Sequence, residues 1–506
     1  MPQSPSVLLL DLLARTDRVC IALAGPEMLV QAEDAGGFVE FRLDSLANPS
    51  SLFSPAQGRP ALLPDLLAIA TCRRTGYGGG FHGSANEQLD VLRQAAQAGC
   101  RAVDIEVETA EELGPAALDS LRAAGAAVIV SWHDFNGTPD LAAVYQRLEE
   151  FKPDFIKIVP TAQTLTDSLR LVALLRQHSS SGRLVAMSMG QPGVLTRVLG
   201  LRYGSAFTFA SQEGQAGTAP GQITGSALRN LYRVASITPQ TAIYAVTGSP
   251  IGASLSPLMH NTAFRAQNMN AVYLSLQTAD ADELLQAVEQ LGIRGLSVTM
   301  PLKEAVLPLL ATRDKSVDSM RACNTLLRSA DGTFFGFNTD VEGIVAPLRT
   351  ELELQGKRVL VLGAGGAARA AVFGLLDYGA KVYIANRTAT RAEALAQESG
   401  AEFITADRLT SMIFEVIINA TPYGMRGKDL PPPIAPENFQ CELFFDLVYN
   451  PVETPLMQLA KQRGIRSIPG AAMFVAQGIE QFRLWTGNDA PKLAMLQAVE
   501  HALSTA

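Results

Sequence analysis

The sequence predicts an α/β protein of two units, an N-terminal (β/α)8 barrel followed by a two-lobed unit whose C-terminal half is a Rossmann domain. Three observations carry that expectation. Eight short apolar runs alternate with helix-like stretches between Val19 and Phe209. An apolar strand runs into a G-x-G-x-x-A turn at Gly363. A chain of 506 residues is also too long for one ordinary domain.

The eight runs span 19–23, 38–42, 67–73, 102–107, 127–133, 155–159, 184–189 and 206–209. Nearly continuous apolar character with β-branched residues is what strands buried on both faces require. Amphipathic stretches such as Asn86 to Ala98 and Leu141 to Phe151 supply intervening helices. The connection Ala47 to Asp65 is rich in Pro and Ser and has the weakest helical pattern.

Within Phe155-Ile156-Lys157-Ile158-Val159-Pro160 a lysine interrupts a buried strand. An ammonium there costs free energy unless it is paired or its pKa falls. A lysine made neutral by burial is a nucleophile that condenses with ketones to an imine. An isolated lysine would more simply snorkel from a strand end. Here Glu40, Arg42, Arg73, Glu106 and His133 also stand at C-terminal strand ends, where barrels of this kind place their sites. Six polar residues converging on one rim point to a site for an anionic ketone.

Glu40-Phe41-Arg42, Thr71-Cys72-Arg73, Ser131-Trp132-His133-Asp134-Phe135, Lys157 to Ala162 and Ala219-Pro220-Gly221-Gln222 resemble type I 3-dehydroquinate dehydratase over roughly residues 15–236. The resemblance implies that Lys157 forms the imine, His133 moves protons and Glu106 positions or assists His133. It also implies that Arg197 holds the substrate carboxylate, with Glu40, Arg42, Arg73 and Gln222 binding hydroxyls or that carboxylate. Thr218 stands where the family often has serine and keeps the hydroxyl. The chemistry is consistent without the name: an imine acidifies the neighbouring carbon, and a base of near-neutral pKa can take that proton. No metal is required.

A second unit begins after the short, Pro-bearing segment Ala235 to Gln240, with a new strand at Ala242 to Val246. Composition is that of packed globular domains, 47% hydrophobic and 18% charged. A net charge of −8 argues against a nucleic-acid or anionic-membrane surface. Five scattered cysteines, Cys20, Cys72, Cys100, Cys323 and Cys441, lack metal-ligand spacing and suit reduced thiols in a cytoplasm. Val7 to Leu13 is leucine-rich, but it holds Asp11 and lacks a basic flank, so a signal peptide is not expected. No run reaches the length of a membrane span.

Val359 to Leu362 leads into Gly363-Ala364-Gly365-Gly366-Ala367-Ala368 and an Ala- and Leu-rich helix. Gly363 permits the tight turn, Gly365 lets a pyrophosphate approach the backbone, and Ala368 allows close helix–strand packing. The next strand, Lys381 to Ala385, ends at Asn386-Arg387-Thr388 with Arg391 beyond. No acid is present where an NAD enzyme binds the ribose hydroxyls, and guanidinium groups clamp a 2′-phosphate, so NADP is expected.

Upstream, Ser254 and Ser256 lie in a loop before Met259-His260-Asn261. Thr299 and Lys303 fall in Ser297-Val298-Thr299-Met300-Pro301-Leu302-Lys303, followed by Cys323-Asn324-Thr325 and Asn338-Thr339-Asp340. Singly these read as turns and caps. Together they suit a polyhydroxylated acid beside a nicotinamide. Residues 241–506 resemble shikimate dehydrogenase. That resemblance implies Lys303 and Asp340 as the catalytic pair, and Ser254, Ser256, Thr299, Asn324, Tyr449, Gln477 and Gln481 as substrate-binding. It implies Gly363, Ala364, Gly365, Gly366, Ala367, Asn386, Arg387, Thr388, Arg391, Leu447 and Gly470 as NADP contacts. Ser297 departs from the asparagine many members carry. His260 reads as a structural helix-start residue, and Asn419-Ala420-Thr421-Pro422 as a cofactor-side loop.

The expected domains are the barrel at 1–236, a substrate-binding lobe at 241–343, a Rossmann lobe at 344–470, and C-terminal helices at 471–506 that return to the substrate-binding lobe. The combined expectation is a cytoplasmic bifunctional enzyme taking 3-dehydroquinate to 3-dehydroshikimate and then to shikimate. Its partners are small molecules. Three alternatives differ: a non-catalytic regulator on the same domains, a second half acting on quinate, and a barrel that is another imine-forming lyase. A regulator would be expected to lose nucleophile or base, whereas Lys157, His133, Lys303 and Asp340 are all present.

Overall fold

The computed structural model describes residues 5–35, 37–53, 66–214 and 221–505. The chain divides into two compact units. One comprises Met1–Thr241 with Ser275–Thr278 and Asp282–Leu291; the other comprises Ala242–Leu274, Ala279–Ala281 and Gly292–Ala506.

Eight parallel strands form the first sheet: β1 (Val19–Ala24), β2 (Phe38–Arg42), β3 (Leu67–Thr71), β4 (Ala102–Glu106), β5 (Ala127–His133), β6 (Phe155–Val159), β7 (Leu184–Ala186) and β8 (Thr208–Ser211). Their order is β7-β6-β5-β4-β3-β2-β1-β8, and the amide of Ala206 donates to Leu184 O at 2.8 Å to nearly close the barrel. The last two strands are shorter or shifted relative to the sequence pattern. Beyond Ala186 the chain leaves regular pairing, and Met189 N is bonded instead to Pro160 O. The Pro- and Ser-rich connection forms only 3-10 turns, Leu43–Ser45 and Pro49–Phe53, within its described part.

Period-two alternation sends Phe155, Lys157 and Val159 of β6 to one face, the barrel interior. The interior's apolar end is filled by Phe38, Ile69, Ile129, Phe155 and Phe207, together with Leu9 and Leu13 from the helix Pro5–Leu13. Full burial of each such side chain stabilises by about 1.5–3 kcal/mol. Helix starts are set by local chemistry: Ser84 and Glu87 form a capping box for Ala85–Gln97, as Thr164 and Asp167 do for Leu165–Gln177.

The second unit contains two six-stranded sheets. The first, mixed, is ordered β10-β9-β11-β13-β14-β12, built from β9 (Ala242–Gly248), β10 (Ala271–Gln277), β11 (Ile293–Val298), β12 (Leu310–Arg313), β13 (Thr325–Arg328) and β14 (Phe334–Phe337). The second, parallel, is ordered β17-β16-β15-β18-β19-β20, from β15 (Arg358–Leu362), β16 (Lys381–Ala385), β17 (Glu402–Phe403), β18 (Val416–Asn419), β19 (Leu443–Asp446) and β20 (Arg466–Ile468). Strand order reverses at β15, flanked by β16 and β18, and such a switch point opens a crevice at the strands' C-terminal ends. The helices Gly470–Thr486 and Lys492–Thr505 pack Val475, Phe482, Met495 and Val499 against Tyr244, Phe264 and Tyr273 of the mixed-sheet lobe.

Each unit carries its own apolar core. A cut between Ser236 and Thr241 leaves Ser275–Thr278 and Asp282–Leu291, grouped with the first unit, on the second piece. Because each core lies wholly on its own side of the cut, two soluble pieces, each retaining its own reaction, are expected. Insolubility or inactivity of either piece, measured beside an active intact chain, would refute that division.

Candidate active sites

In the barrel, register brings a polar layer together inside an apolar wall. Thr71 pairs with Asp104 and Ser131 with Lys157 across neighbouring strands. Lys157 Nζ donates to Asp104 Oδ2 at 2.8 Å and to Glu40 Oε1 at 3.3 Å, and lies 3.9 Å from the centre of the Phe209 ring. Lys157 is thus paired with two carboxylates rather than left alone in the apolar strand. Arg73 Nη2 donates to Asp104 Oδ1 at 2.9 Å and to Ser131 Oγ at 3.0 Å, while Thr71 donates to Glu40 at 2.7 Å. Burial alone would raise the Asp104 pKa, but Lys157 and Arg73 hold it well below the ordinary carboxylate range.

Arg73 Nη1 is 2.9 Å from His133 Nε2. A guanidinium only donates, so Nε2 accepts, and neutral His133 carries its proton on Nδ1. Burial, reinforced by Arg73 and Lys157, pushes the His133 pKa well below 6.5. Arg197 is wholly buried in the same pocket, with Nε and Nη2 lacking hydrogen-bond partners among the described residues, and burial pulls its pKa down to about 10. A buried cation with open donors is a receptor for an anion.

Glu40, Arg42, Arg73, His133, Lys157, Arg197 and Gln222 all line this pocket. Arg42 is clamped by Asp44 at 2.8 Å. Thr218 lies outside the described residues. Glu106 is the exception. Its carboxylate accepts from Gln88 Nε2 at 2.7 Å and Arg74 N at 3.3 Å, and it has no bond to His133. It anchors the turn after β3, whose Gly78, at φ +82°, comes so close to Phe135 that a Cβ would overlap the ring. The sequence reading passed over Asp104, whose only signal is an acid inside the apolar run 102–107.

In the second unit a cleft of about 820 Å³ is lined by Ser254, Ser256, Thr299, Lys303, Asn324, Asp340, Tyr449, Gln477 and Gln481. Lys303 Nζ sits 2.5 Å from Asp340 Oδ2, and Asn324 Nδ2 donates to Asp340 Oδ1 at 2.9 Å. The cleft also takes Met300, 74% exposed at its edge, and Phe474, stacked on Tyr449 at 5.2 Å; neither carries a polar signal in the sequence. His260 is fully buried and stacked on Tyr273 at 4.5 Å, and burial drives its pKa down to about 3. It is a neutral packing residue.

Gly366, Ala367, Leu447 and Gly470 face this cleft, whereas Gly363, Ala364, Gly365, Asn386, Arg387, Thr388 and Arg391 line an adjoining crevice at the β15 switch point. Gly363 has φ +119°, and a Cβ there would meet Ala420 O at 2.9 Å. A Cβ at Gly365 or Gly366 meets nothing within 4 Å, leaving open space at the N-terminus of the helix Gly366–Asp377. Exposed Arg387 and Arg391 are not engaged by carboxylates among the described residues. Backbone donors, open space and two uncommitted guanidiniums fit a phosphorylated dinucleotide. Ala420, Thr421 and Pro422 also line this crevice, whereas Asn419 is buried beneath it and bonded to Asp446; Tyr423 and Leu430 to Pro433 form a further wall, whose sequence signal is the run of three prolines.

Comparison with known proteins follows the same division. Residues 19–239 match the type I 3-dehydroquinase family. Residues 246–326 match the shikimate dehydrogenase substrate binding domain, 346–423 shikimate / quinate 5-dehydrogenase, and 470–500 the shikimate 5′-dehydrogenase C-terminal domain. A shikimate dehydrogenase (NADP(+)) of Syntrophobacter fumaroxidans is 38% identical over 275 residues, covering 52% of this chain and 96% of the relative. A solved structure described as dehydroquinate dehydratase and shikimate dehydrogenase from S. pombe AroM covers 97% of this chain and 100% of its own, at 25% identity and TM-score 0.47. The chloroplastic bifunctional 3-dehydroquinate dehydratase/shikimate dehydrogenase of Arabidopsis thaliana is 34% identical over 478 residues, 90% of this chain and 78% of the relative. On that identity and coverage, the chain belongs to the bifunctional 3-dehydroquinate dehydratase/shikimate dehydrogenase family.

Proposed function

We propose that the barrel dehydrates 3-dehydroquinate to 3-dehydroshikimate through an imine on Lys157, and that the second unit reduces 3-dehydroshikimate to shikimate with NADPH. The observation that carries this reading is that each unit gathers its reacting groups in one pocket: Lys157 and His133, linked through Asp104 and Arg73, and Lys303 bonded to Asp340.

In the barrel, Arg197 takes the substrate carboxylate, and Glu40, Arg42 and Gln222 take hydroxyls. The Lys157 amine attacks the ketone, the protons it gives up pass to the former carbonyl oxygen, and that oxygen leaves as water to give an iminium. Nε2 of His133, once its hydrogen bond from Arg73 has opened, removes a proton from the adjacent carbon, giving an enamine. The enamine expels the β-hydroxyl, which leaves as water with the proton His133 has gained. Addition of water then frees the product and Lys157. The 2.9 Å contact from Arg73 sets the resting tautomer of His133, with its proton on Nδ1, and has to open before Nε2 can take a proton. Glu106 supports this site through the Arg74 turn rather than by touching His133.

In the second unit NADPH supplies the hydride. Gly363 to Ala367 would cradle its pyrophosphate, Arg387 and Arg391 its 2′-phosphate, and Leu447 and Gly470 would face its nicotinamide end. Ser254, Ser256, Thr299, Asn324, Tyr449, Gln477 and Gln481 bind the ring acid. Lys303 stabilises the forming alkoxide and delivers its proton, with Asp340 holding the ammonium in place. The five cysteines form no disulfide, which supports a reducing compartment such as the cytoplasm. No described helix is long and apolar enough to cross a membrane.

Three tests follow from these assignments. Lys157→Ala should abolish dehydration while leaving NADP-linked oxidation of shikimate nearly intact, and borohydride trapping with 3-dehydroquinate should add mass at Lys157. Trapping at another lysine would remove the imine assignment. A general base must be unprotonated, so a depressed His133 pKa extends activity downward in pH. The acid limb of kcat/KM for dehydration, which reports the free enzyme, should lie below pH 6.5. A limb above that value would mean a different base. Arg387→Asp should raise KM for NADP at least about tenfold, since each charge-assisted contact contributes roughly 1.5–3 kcal/mol. NAD use should suffer far less, and equal losses would show that Arg387 merely supports the loop.

A further inference from the structure

The catalytic carboxylate of the second unit ends a chain of hydrogen bonds whose direction can be assigned link by link. Asp340 only accepts, so the group facing its Oδ1 at 2.9 Å is the Asn324 amide nitrogen. Asn324 Oδ1 therefore faces Thr339 N at 2.8 Å and Thr325 Oγ1 at 2.7 Å. Thr325 has one proton and spends it on Asn324, so it must accept from Gln481 Nε2 at 3.0 Å. That fixes the flip of Gln481 and turns its Oε1 toward Ser297 Oγ at 2.8 Å. Ser297 in turn spends its proton on Gln481 and must accept from Tyr273 OH at 2.6 Å. Every donor points toward Asp340.

Tyr273, Ser297, Gln481, Thr325 and Asn324 are all buried. Burial pushes the Tyr273 phenol pKa up, so it remains a donor throughout the working range. Its ring is held by the stack on His260, and its backbone by two bonds to Asn261, at 2.9 and 2.8 Å. Aligned dipoles in a buried chain reinforce one another.

We propose that Tyr273 and Thr325 are positioning residues for the dehydrogenase reaction: they fix the amide orientations of Gln481 and Asn324 and thereby the carboxylate of Asp340 beside Lys303. This explains how serine serves at position 297: its hydroxyl is a link inside the wall, carrying Tyr273's direction to Gln481. The inference rests on the proposed role of the second unit, which wild-type NADP-linked oxidation of shikimate tests by itself.

The test is a double-mutant cycle on the full-length chain, reading kcat and KM for shikimate and for NADP. Tyr273→Phe and Thr325→Val should each lower kcat/KM for shikimate about tenfold, the scale of one buried hydrogen bond. KM for NADP should move less than about twofold. Thr325→Ser, which keeps the hydroxyl, should restore wild-type behaviour. The double variant should be no more than about threefold worse than the poorer single one, because either break interrupts the same chain. Additive losses near a hundredfold, single effects under twofold, or equal damage from Thr325→Ser would each overturn the proposal. Should Thr325→Val fail to fold, Ser297→Ala cuts the chain at its middle link and completes the cycle with Tyr273→Phe.

Discussion

A charge placed inside an apolar barrel has to be answered by another charge, and the pair Lys157–Asp104 is that answer. Asp104 is wholly enclosed and would be untenable alone; so would Lys157. Their bond also recruits Arg73, Ser131 and, through Lys157, Glu40. The lattice of bonds, rather than any one residue, sets where the nucleophile and the base stand. Its charges do not balance within the pocket. Lys157, Arg73 and Arg197 are three cations facing two anions, Glu40 and Asp104, while Arg42 is answered by Asp44. One positive charge remains, at Arg197, and it is the charge a carboxylate substrate would complete.

The same surplus explains why His133 stays neutral. Burial disfavours its protonated form, and the cations Arg73 and Lys157 disfavour it further against a single opposing Asp104. Neutral His133 can therefore act as a base, while Lys157 is held in place by its two carboxylate partners. The second unit solves a different problem. Lys303 and Asp340 are partly exposed and paired only with one another and with Asn324. Water can help solvate this pair, so geometry comes from neutral amides and hydroxyls fixed in the wall rather than from a closed charge lattice.

How much of this could be read from sequence depended on whether the signal was local. Barrel strands such as 127–133 and 155–159 were legible because burial on both faces leaves an uninterrupted apolar run. The Gly363 turn was legible because a positive φ and a close approach to Ala420 admit only glycine there. Asp104 was not, since its value lies in register: only the pairing of β3, β4 and β5 puts it between Arg73, Ser131 and Lys157. Glu106, two residues on, has the same local signature. It accepts instead from the Arg74 backbone amide and the Gln88 side chain, a fact of tertiary packing. Ser297 looked like a lost substrate contact, and only its neighbours Tyr273 and Gln481 reveal its hydroxyl to be engaged.

The two sites recognise chemically similar ring acids by unlike means, and the difference follows from burial. In the barrel the carboxylate would meet Arg197, a desolvated guanidinium whose field is hardly screened by salt. In the second unit the one cation lining the cleft among the described residues, Lys303, is already paired with Asp340, so under the proposed roles recognition would fall to hydroxyls and amides such as those of Ser254, Ser256, Thr299 and Gln477. Hydrogen-bond recognition is exacting about where hydroxyls sit on a ring, whereas a point charge is exacting only about the carboxylate. Under the roles proposed for the barrel, Arg197 would take the carboxylate and Glu40, Arg42 and Gln222 the hydroxyls, while capture by Lys157 adds the requirement for a carbonyl group. The dehydrogenase, whose hydride transfer would tolerate many ketones, has to discriminate in the binding step, and its ordered wall of amides is suited to do so.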